Sequence, residues 1–304
     1  MKKWVEAFAA RVDREQLPVE AIVAYEHDAL VAEHRWVPDA PRNIYSHTKS
    51  FMSTAVGLAI WDGVLSLDDR VVGVLPDAVP DKGAGALAGI TLRHLLMMSS
   101  GFDRALLMMD TRASLGDIDF ARYVLSQPLR QPPGTSFRYS NGDSFLAGRM
   151  AEVRLGKTLR EYLGERLFAP MDIPTPEWEQ DPQGHTFGAS GLKLRITDMA
   201  KLGRLYLQNG VWAGRQLVDP AWIALATRRH IDVPPDDENN PWQFAYGFQF
   251  WMSPYPDAYR ADGAYGQITT VLPRADAVVS IQCTESDRFA EVRTALHEEL
   301  LTRL

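Results

Sequence analysis

Ser46-His47-Thr48-Lys49-Ser50-Phe51-Met52-Ser53-Thr54-Ala55-Val56-Gly57-Leu58-Ala59-Ile60-Trp61-Asp62-Gly63 is the stretch on which the reading of this chain turns. Phe51, Ala55, Leu58 and Ala59 fall on one side of a helical pattern, and Asp62-Gly63 is a reasonable C-terminal stop. The spacing predicts a helix over 46–61, and the apolar run after Lys49 predicts that it is buried on most sides. Ser46 then stands where the chain enters the helix, with Lys49 one turn later on the same face. A serine there gains from the helix N-terminal field, and its backbone N–H is free to bind an oxyanion. The plainer reading of Ser46 is a helix N-cap, and of Lys49 a solvated surface lysine.

A serine hydroxyl is nearly inert without a base. A lysine can serve if burial and neighbouring positive character favour its neutral amine. Ser-x-x-Lys recurs at Ser190-Gly191-Leu192-Lys193. About one such match is expected by chance in a chain of this size, so context must decide. Gly188-Ala189-Ser190-Gly191 reads as a flexible structural turn, and Leu192 stands where a Gly-x-Ser-x-Gly elbow needs its last glycine.

A second element is Gln131-Pro132-Pro133-Gly134-Thr135-Ser136-Phe137-Arg138-Tyr139-Ser140-Asn141, which holds the only Tyr-x-Asn of the chain. A tyrosine near a cationic lysine can relay a proton, and Asn141 can donate to a substrate carbonyl. Alone, the segment reads sooner as a turn in which Asn141 caps the next helix. A third element, Ala261-Asp262-Gly263-Ala264-Tyr265-Gly266-Gln267, leads into the strand 268–272. Gly263 there would let a substrate lie against a strand edge, with a backbone N–H facing its carbonyl. A plain hairpin turn is the alternative.

Around these elements the chain has 304 residues, 46% hydrophobic, and a formal charge of -7. That is enough for a large buried core. No Lys/Arg stripe suggests a nucleic-acid partner. Cys283, the single cysteine, excludes an internal disulfide and reads as a small buried hydrophobe. Met1-Lys2-Lys3 begins like a signal peptide, but Glu6, Arg11 and Asp13 interrupt the apolar middle, so a surface helix is expected over 3–14. No window approaches ~20 uncharged apolar residues, and a cytoplasmic protein with no membrane association is expected. No metal-ligand spacing is visible, His297-Glu298-Glu299 stopping short of His-Glu-x-x-His, and no cofactor is expected. His47 and His94 read as ordinary helix residues.

Residues 21–25 and 30–36 flank a turn and predict a β-hairpin. Helical patches follow at 90–98, 117–126, 143–152, 159–167 and 197–209, and a polar loop at 232–241. Strands are expected at 244–252, 266–272 and 277–283, then a last amphipathic helix over 289–304. The fold class is therefore α+β: an antiparallel sheet built from both termini, flanked by the N- and C-terminal helices, with an inserted helical lobe. The chain reads as one catalytic unit, with an α/β lobe at about 1–45 and 240–304 and a mostly helical lobe at about 46–239. Trp242, Phe244 and Trp251 hint at an apolar substrate, although sheet core is the commoner fate of such residues.

The order of the three elements resembles the serine β-lactamase and penicillin-binding superfamily. Ser-x-x-Lys opens a helix, Pro-Gly-x-x-Phe-x-Tyr-Ser-Asn follows, and a glycine-rich strand comes near the C-terminus. Ile90-Thr91-Leu92-Arg93-His94-Leu95-Leu96, Ser99-Ser100-Gly101 and Thr197-Asp198-Met199-Ala200-Lys201-Leu202-Gly203 are also similar, so the likeness runs from about 20 to 300. It is nearest the class C branch, which includes family VIII-type esterases, D-aminopeptidases and 6-aminohexanoate-oligomer hydrolases.

The resemblance implies a β-lactamase-like fold, with Ser46 as nucleophile, Lys49 as its base and Tyr139 as proton shuttle to the leaving group. It implies an oxyanion hole from the backbone N–H groups of Ser46 and Ala264, and substrate contacts from Asn141, Asp262 and Gly263. One departure stands out: Ala261-Asp262-Gly263 replaces the Lys-Thr-Gly with which many β-lactamases hold a substrate carboxylate. An Asp262 facing the cleft would repel that carboxylate. The implied activity is hydrolysis of a small ester or amide through an acyl-enzyme. A β-lactamase or D-Ala-D-Ala carboxypeptidase is the alternative enzyme, and a catalytically silent sensor or binding protein the alternative of another class.

Overall fold

The computed structural model describes residues 1–81, 84–235 and 243–303. Its frame is an eight-stranded antiparallel sheet. We number the strands β1 (Val19–Glu26), β2 (Ala29–Arg35), β3 (Ile231–Asp232), β4 (Ala245–Tyr246), β5 (Trp251–Met252), β6 (Tyr259–Gly263), β7 (Gln267–Leu272) and β8 (Ala277–Cys283). They lie in the order β2-β1-β8-β7-β6-β5-β4-β3, so the first strand pairs with the last and both termini build the centre. The β1–β2 hairpin turns on His27 and Asp28, both at positive φ, the geometry that matches the twist of a tight hairpin.

Both faces of the sheet are covered. Ile22 and Ala24 of β1, with Val279 and Ile281 of β8, meet α1 (Lys2–Glu15) and the C-terminal helix through Val5, Phe8, Val12, Val292 and Leu296. The alternate residues, Ala21, Val23, Val271 and Val278, face Met199, Leu202 and Leu205 of the helix Ile196–Leu207. Two buried faces explain why residues 21–25 are apolar without alternation. Gly203 sits at the closest approach, where a Cβ would lie 2.7 Å from Thr269 and 2.9 Å from Val278. This helix covers the sheet, and β3 extends it, although the sequence ranges put both in the helical lobe.

The helix that follows the nucleophile stretch, α2 (Thr48–Trp61), is buried from Thr48 to Ala59. Its polar residues are satisfied inside. Ser50 and Ser53 donate to the carbonyls of Gln249 and Phe248 at 2.8 and 2.7 Å, and Thr54 meets the Tyr206 hydroxyl at 2.8 Å. The serine bonds fix α2 against the turn between β4 and β5, and the threonine bond ties it to the helix Ile196–Leu207. It also packs on α3 (Asn141–Leu155), whose N-terminus is capped by Ser140. Among the described residues no helix is long and apolar enough to cross a membrane.

Three elements differ from expectation. The helix predicted from Ser46 begins at Thr48, and Tyr45–His47 form a short 3-10 turn before it. The strand expected over 244–252 is two short strands, reversed by Gly247 and by Gln249 at φ 66°. Residues 259–263, for which no strand is expected, form β6. Of the predicted loop 232–241, residues 236–241 lie outside the described residues, as does Trp242.

Asp143, in the first turn of α3, is buried and accepts the Ser100 hydroxyl at 2.8 Å. Burial pushes its carboxyl up to about 7, against the stabilising hydrogen bonds from Ser100. The native state thus keeps a proton that the unfolded chain releases near its ordinary value of 3.8. Raising the pH through that window favours unfolding, and the loss levels off above about 7. Asp143→Asn is expected to gain stability over the parent as pH rises from 5 to 8, by on the order of a kcal/mol or more. Thermal unfolding of both proteins across that range checks this, and a constant difference would show that Asp143 does not titrate there.

Candidate active site

The 3-10 turn presents Ser46, partly exposed, and α2 places Lys49 beneath it. Lys49 is 1% exposed, and its Nζ lies 3.0 Å from Ser46 Oγ. The same nitrogen donates to Asn141 Oδ1 at 2.7 Å and to the Ala189 carbonyl at 2.8 Å. Burial drives the amine well below its ordinary value, and Arg112 adds like-charge repulsion. Arg112 is itself held by Glu179 at 3.1 Å and by stacking on Phe187 at 4.2 Å. A neutral amine has two N–H donors and one lone pair. With two carbonyl oxygens taking the donors, the lone pair can accept the Ser46 hydroxyl proton.

Ser46 is not a helix cap. The N-cap position of α2 is His47, and no side chain bonds there. His47 is fully buried, and burial pushes it down to about 3, so it stays neutral against the pull of Asp262.

Tyr139 arrives one residue before the α3 cap and lies 4.9 Å, ring centroid to amine, from Lys49 Nζ. Its hydroxyl shares a hydrogen bond with Ser46, while burial holds it as the neutral phenol. Trp251 stacks on its ring at 5.6 Å, and Tyr246 meets it edge-on. Asn141 is buried, its oxygen committed to Lys49 and one N–H to the Leu107 carbonyl at 3.0 Å. The second N–H is the one left for a substrate. Ser140, not Asn141, caps the helix, accepting from the Gly142 amide at 3.2 Å.

The β6 end closes the site. A Cβ on Gly263 would lie 2.2 Å from the Ile44 carbonyl and 3.1 Å from the His47 amide. The close approach that demands glycine is therefore to the nucleophile's own turn, not to a substrate. Ala264 follows the last paired residue of β6, and in the turn opposite bonding begins with His47 N–H to Ile44, one residue after Ser46. The approach of Gly263 to Ile44 and His47 thus brings the 3-10 turn that carries the Ser46 amide and the strand end that carries the Ala264 amide to one place.

Asp262 requires a correction. Its carboxylate, with the side chain 11% exposed, pairs with the buried Arg260 guanidinium at 2.9 Å. Arg260 also donates to the Met252 carbonyl at 3.0 Å and lies 5.7 Å from the Trp251 ring. The expected repulsion is thus largely offset within the protein. Ala261 faces the main hydrophobic core. Phe244 lines a different hollow with Thr227, Arg228 and Tyr255, whereas Trp251 belongs to the site as the ring under Tyr139.

The second Ser-x-x-Lys is structural. Lys193 is exposed and pairs with Glu177 at 2.7 Å, while this segment's contribution to the site is the Ala189 carbonyl. Sequence reasoning missed that carbonyl, which leaves no side-chain signal, and missed Arg260. Two-residue alternation could have placed Arg260 beside Asp262 on one strand face.

Comparisons with known proteins bear on the family and the fold. The family model for Beta-lactamase matches residues 4–302. Penicillin-binding protein 4 of Amycolatopsis lactamdurans is 30% identical over 211 residues, covering 63% of this chain. The match spans about half of that relative, 51% of its length. The 6-aminohexanoate-dimer hydrolase of Paenarthrobacter ureafaciens is 22% identical over 290 residues, covering 87% of this chain and 72% of the relative. Among solved structures, EstCE1, a hydrolase with promiscuous acyltransferase activity, superposes with a TM-score of 0.77 at 17% identity, covering 97% of this chain and 98% of that one.

Proposed function

This chain belongs to the β-lactamase family, and from that membership we propose that it is a serine hydrolase that forms an acyl-enzyme on Ser46 and hydrolyses a small ester or amide. The observation that carries the reading is the buried Lys49 amine, 3.0 Å from Ser46 Oγ, with both its N–H donors committed elsewhere. Ser46 Oγ attacks the acyl carbon as its proton passes to the Lys49 lone pair. The tetrahedral oxyanion accepts from the Ser46 and Ala264 amides. As the leaving group departs, Tyr139 gives it the phenolic proton and is reprotonated by the Lys49 ammonium. Water then attacks the acyl-enzyme, its proton travels the same route, and Ser46 leaves with its hydroxyl restored.

Both burial effects support these roles. Burial pushes Lys49 toward the neutral amine and Tyr139 toward the neutral phenol, so it favours base and acid over ammonium and phenolate. The relative named for 6-aminohexanoate dimers agrees with a small acyl substrate.

Ester or amide substrates are favoured over β-lactams by what stands at 261–263. A β-lactam carboxylate finds no ammonium or hydroxyl on Ala261 or Asp262, and Arg260 is already paired. Each missing charge-assisted hydrogen bond forgoes about 1.5–3 kcal/mol, roughly tenfold to a hundredfold in rate. Measurable hydrolysis of 4-nitrophenyl butanoate with weak turnover of a chromogenic cephalosporin is the expected result. A cephalosporin kcat/KM equal to or above that of the ester would assign the protein to β-lactam hydrolysis instead.

A further inference from the structure

Two tyrosines are chain neighbours of Ser46 and Ala264, and both have unusual backbone. Tyr45, immediately before Ser46, has φ 48°, and Tyr265, immediately after Ala264, has φ 63°. Glycine adopts this left-handed region freely, whereas a bulky side chain enters it only where the surroundings over-determine the position. The two rings meet each other edge to face, with centroids 5.0 Å apart and planes at 73°. A third segment joins them: the Tyr45 hydroxyl donates to the carboxylate of Glu285, just beyond β8. Between the tyrosines, Gly263 holds the strand end against the Ile44 carbonyl.

We propose that Tyr45 and Tyr265 form an aromatic clasp that sets the separation and direction of the Ser46 and Ala264 amides. The proposal rests on the reading of those amides as the oxyanion hole. Each amide sits in a single 3-10 turn, Tyr45–His47 or Ala264–Gly266, rather than in an α-helix or a strand ladder, so no extended regular structure aims it. The backbone angles of Tyr45 orient the peptide that carries the Ser46 N–H. Tyr265 fixes the residue that follows the Ala264 N–H. One ring contact therefore couples two peptides that approach from opposite ends of the chain. Hole donors must lie about 2.7–3.1 Å from the developing oxyanion, and small misplacements there are felt strongly in rate. Tyr45 and Tyr265 are positioning residues, acting through the two amides.

The test compares Tyr45→Gly, Tyr265→Gly, the double variant and Tyr265→Phe with the unmodified protein. The probes are 4-nitrophenyl butanoate and its thiono analogue, in which sulfur replaces the carbonyl oxygen and fits the hole poorly. Each glycine variant should lose on the order of tenfold to a hundredfold in kcat on the oxo ester, with KM within about twofold. The oxo-to-thiono rate ratio should fall with it, because the hole's contribution is what disappears. Thermal stability should hold, since glycine relieves the left-handed backbone. The double variant should be no worse than the worse single one, and Tyr265→Phe, which keeps the ring, should stay within about twofold of the parent.

Additive losses, or an unchanged oxo-to-thiono ratio, would overturn the clasp. Should a glycine variant fail to fold, Tyr45→Leu and Tyr265→Leu are read the same way. Fluorophosphonate labelling of Ser46 separates the two layers of the argument. Labelling and turnover with an unmoved ratio sink the clasp alone, and absence of Ser46-dependent labelling sinks the hydrolase reading and the clasp with it.

Discussion

Ser46→Ala is expected to abolish fluorophosphonate labelling and to lower ester turnover by on the order of 10⁶, leaving only what binding and the amides supply. The fold should survive. Ser46 caps no helix, and its hydroxyl bonds are to Lys49 and Tyr139 alone among the described contacts. Lys49 would keep Asn141 and Ala189 as acceptors, so the truncation strands no buried charge. Unfolding temperature should therefore shift by no more than a few degrees. Ser190→Ala is the control, because Lys193 beyond it faces Glu177 at the surface. If Ser46→Ala is still labelled and Ser190→Ala is not, the wrong Ser-x-x-Lys has been chosen.

The contrast between those two serines shows what the sequence could and could not reveal. Ser46 and Lys49 were legible because three residues of helical spacing is a local relation, and the apolar run behind them implied burial. Tyr139 was legible by its place after Pro133-Gly134 and before Ser140-Asn141. Local patterns cannot show partners brought in by folding, and Ala189, whose carbonyl holds the Lys49 amine, is 140 residues away from it. The strand Tyr259–Gly263 was missed because Arg260 and Asp262 break the apolar pattern, yet they neutralise one another on a single face. The same pair reverses the argument from Asp262: a lone acid in a sequence became half of an ion pair in the fold. The helical pattern runs straight through the turn at Ser46 into α2, since propensity does not register a left-handed Tyr45.

Lys49→Arg is expected to be nearly as damaging as Lys49→Ala, at roughly 10³-fold or more in kcat, although it keeps the positive charge. A role for charge alone would predict near-normal turnover in the arginine variant. The structure argues otherwise on two grounds. Arginine does not surrender its proton in the accessible range, so it offers Ser46 no lone pair. Its planar guanidinium is also larger than the amine seated between Asn141 and Ala189, within 2.8 Å of both. The pH profile separates the first ground from the second. In the parent, kcat/KM should rise on an alkaline-going limb as the Lys49–Tyr139 pair loses its first proton. Burial and Arg112 place that limb well below the ordinary lysine value of 10.5, since both disfavour the ammonium. Arg112→Gln, which removes the second of these influences, should move the limb to higher pH while turnover on the plateau stays close to the parent's. A limb that does not move would mean that burial alone tunes the amine, and near-normal turnover in Lys49→Arg would mean that a general base other than Lys49 activates Ser46.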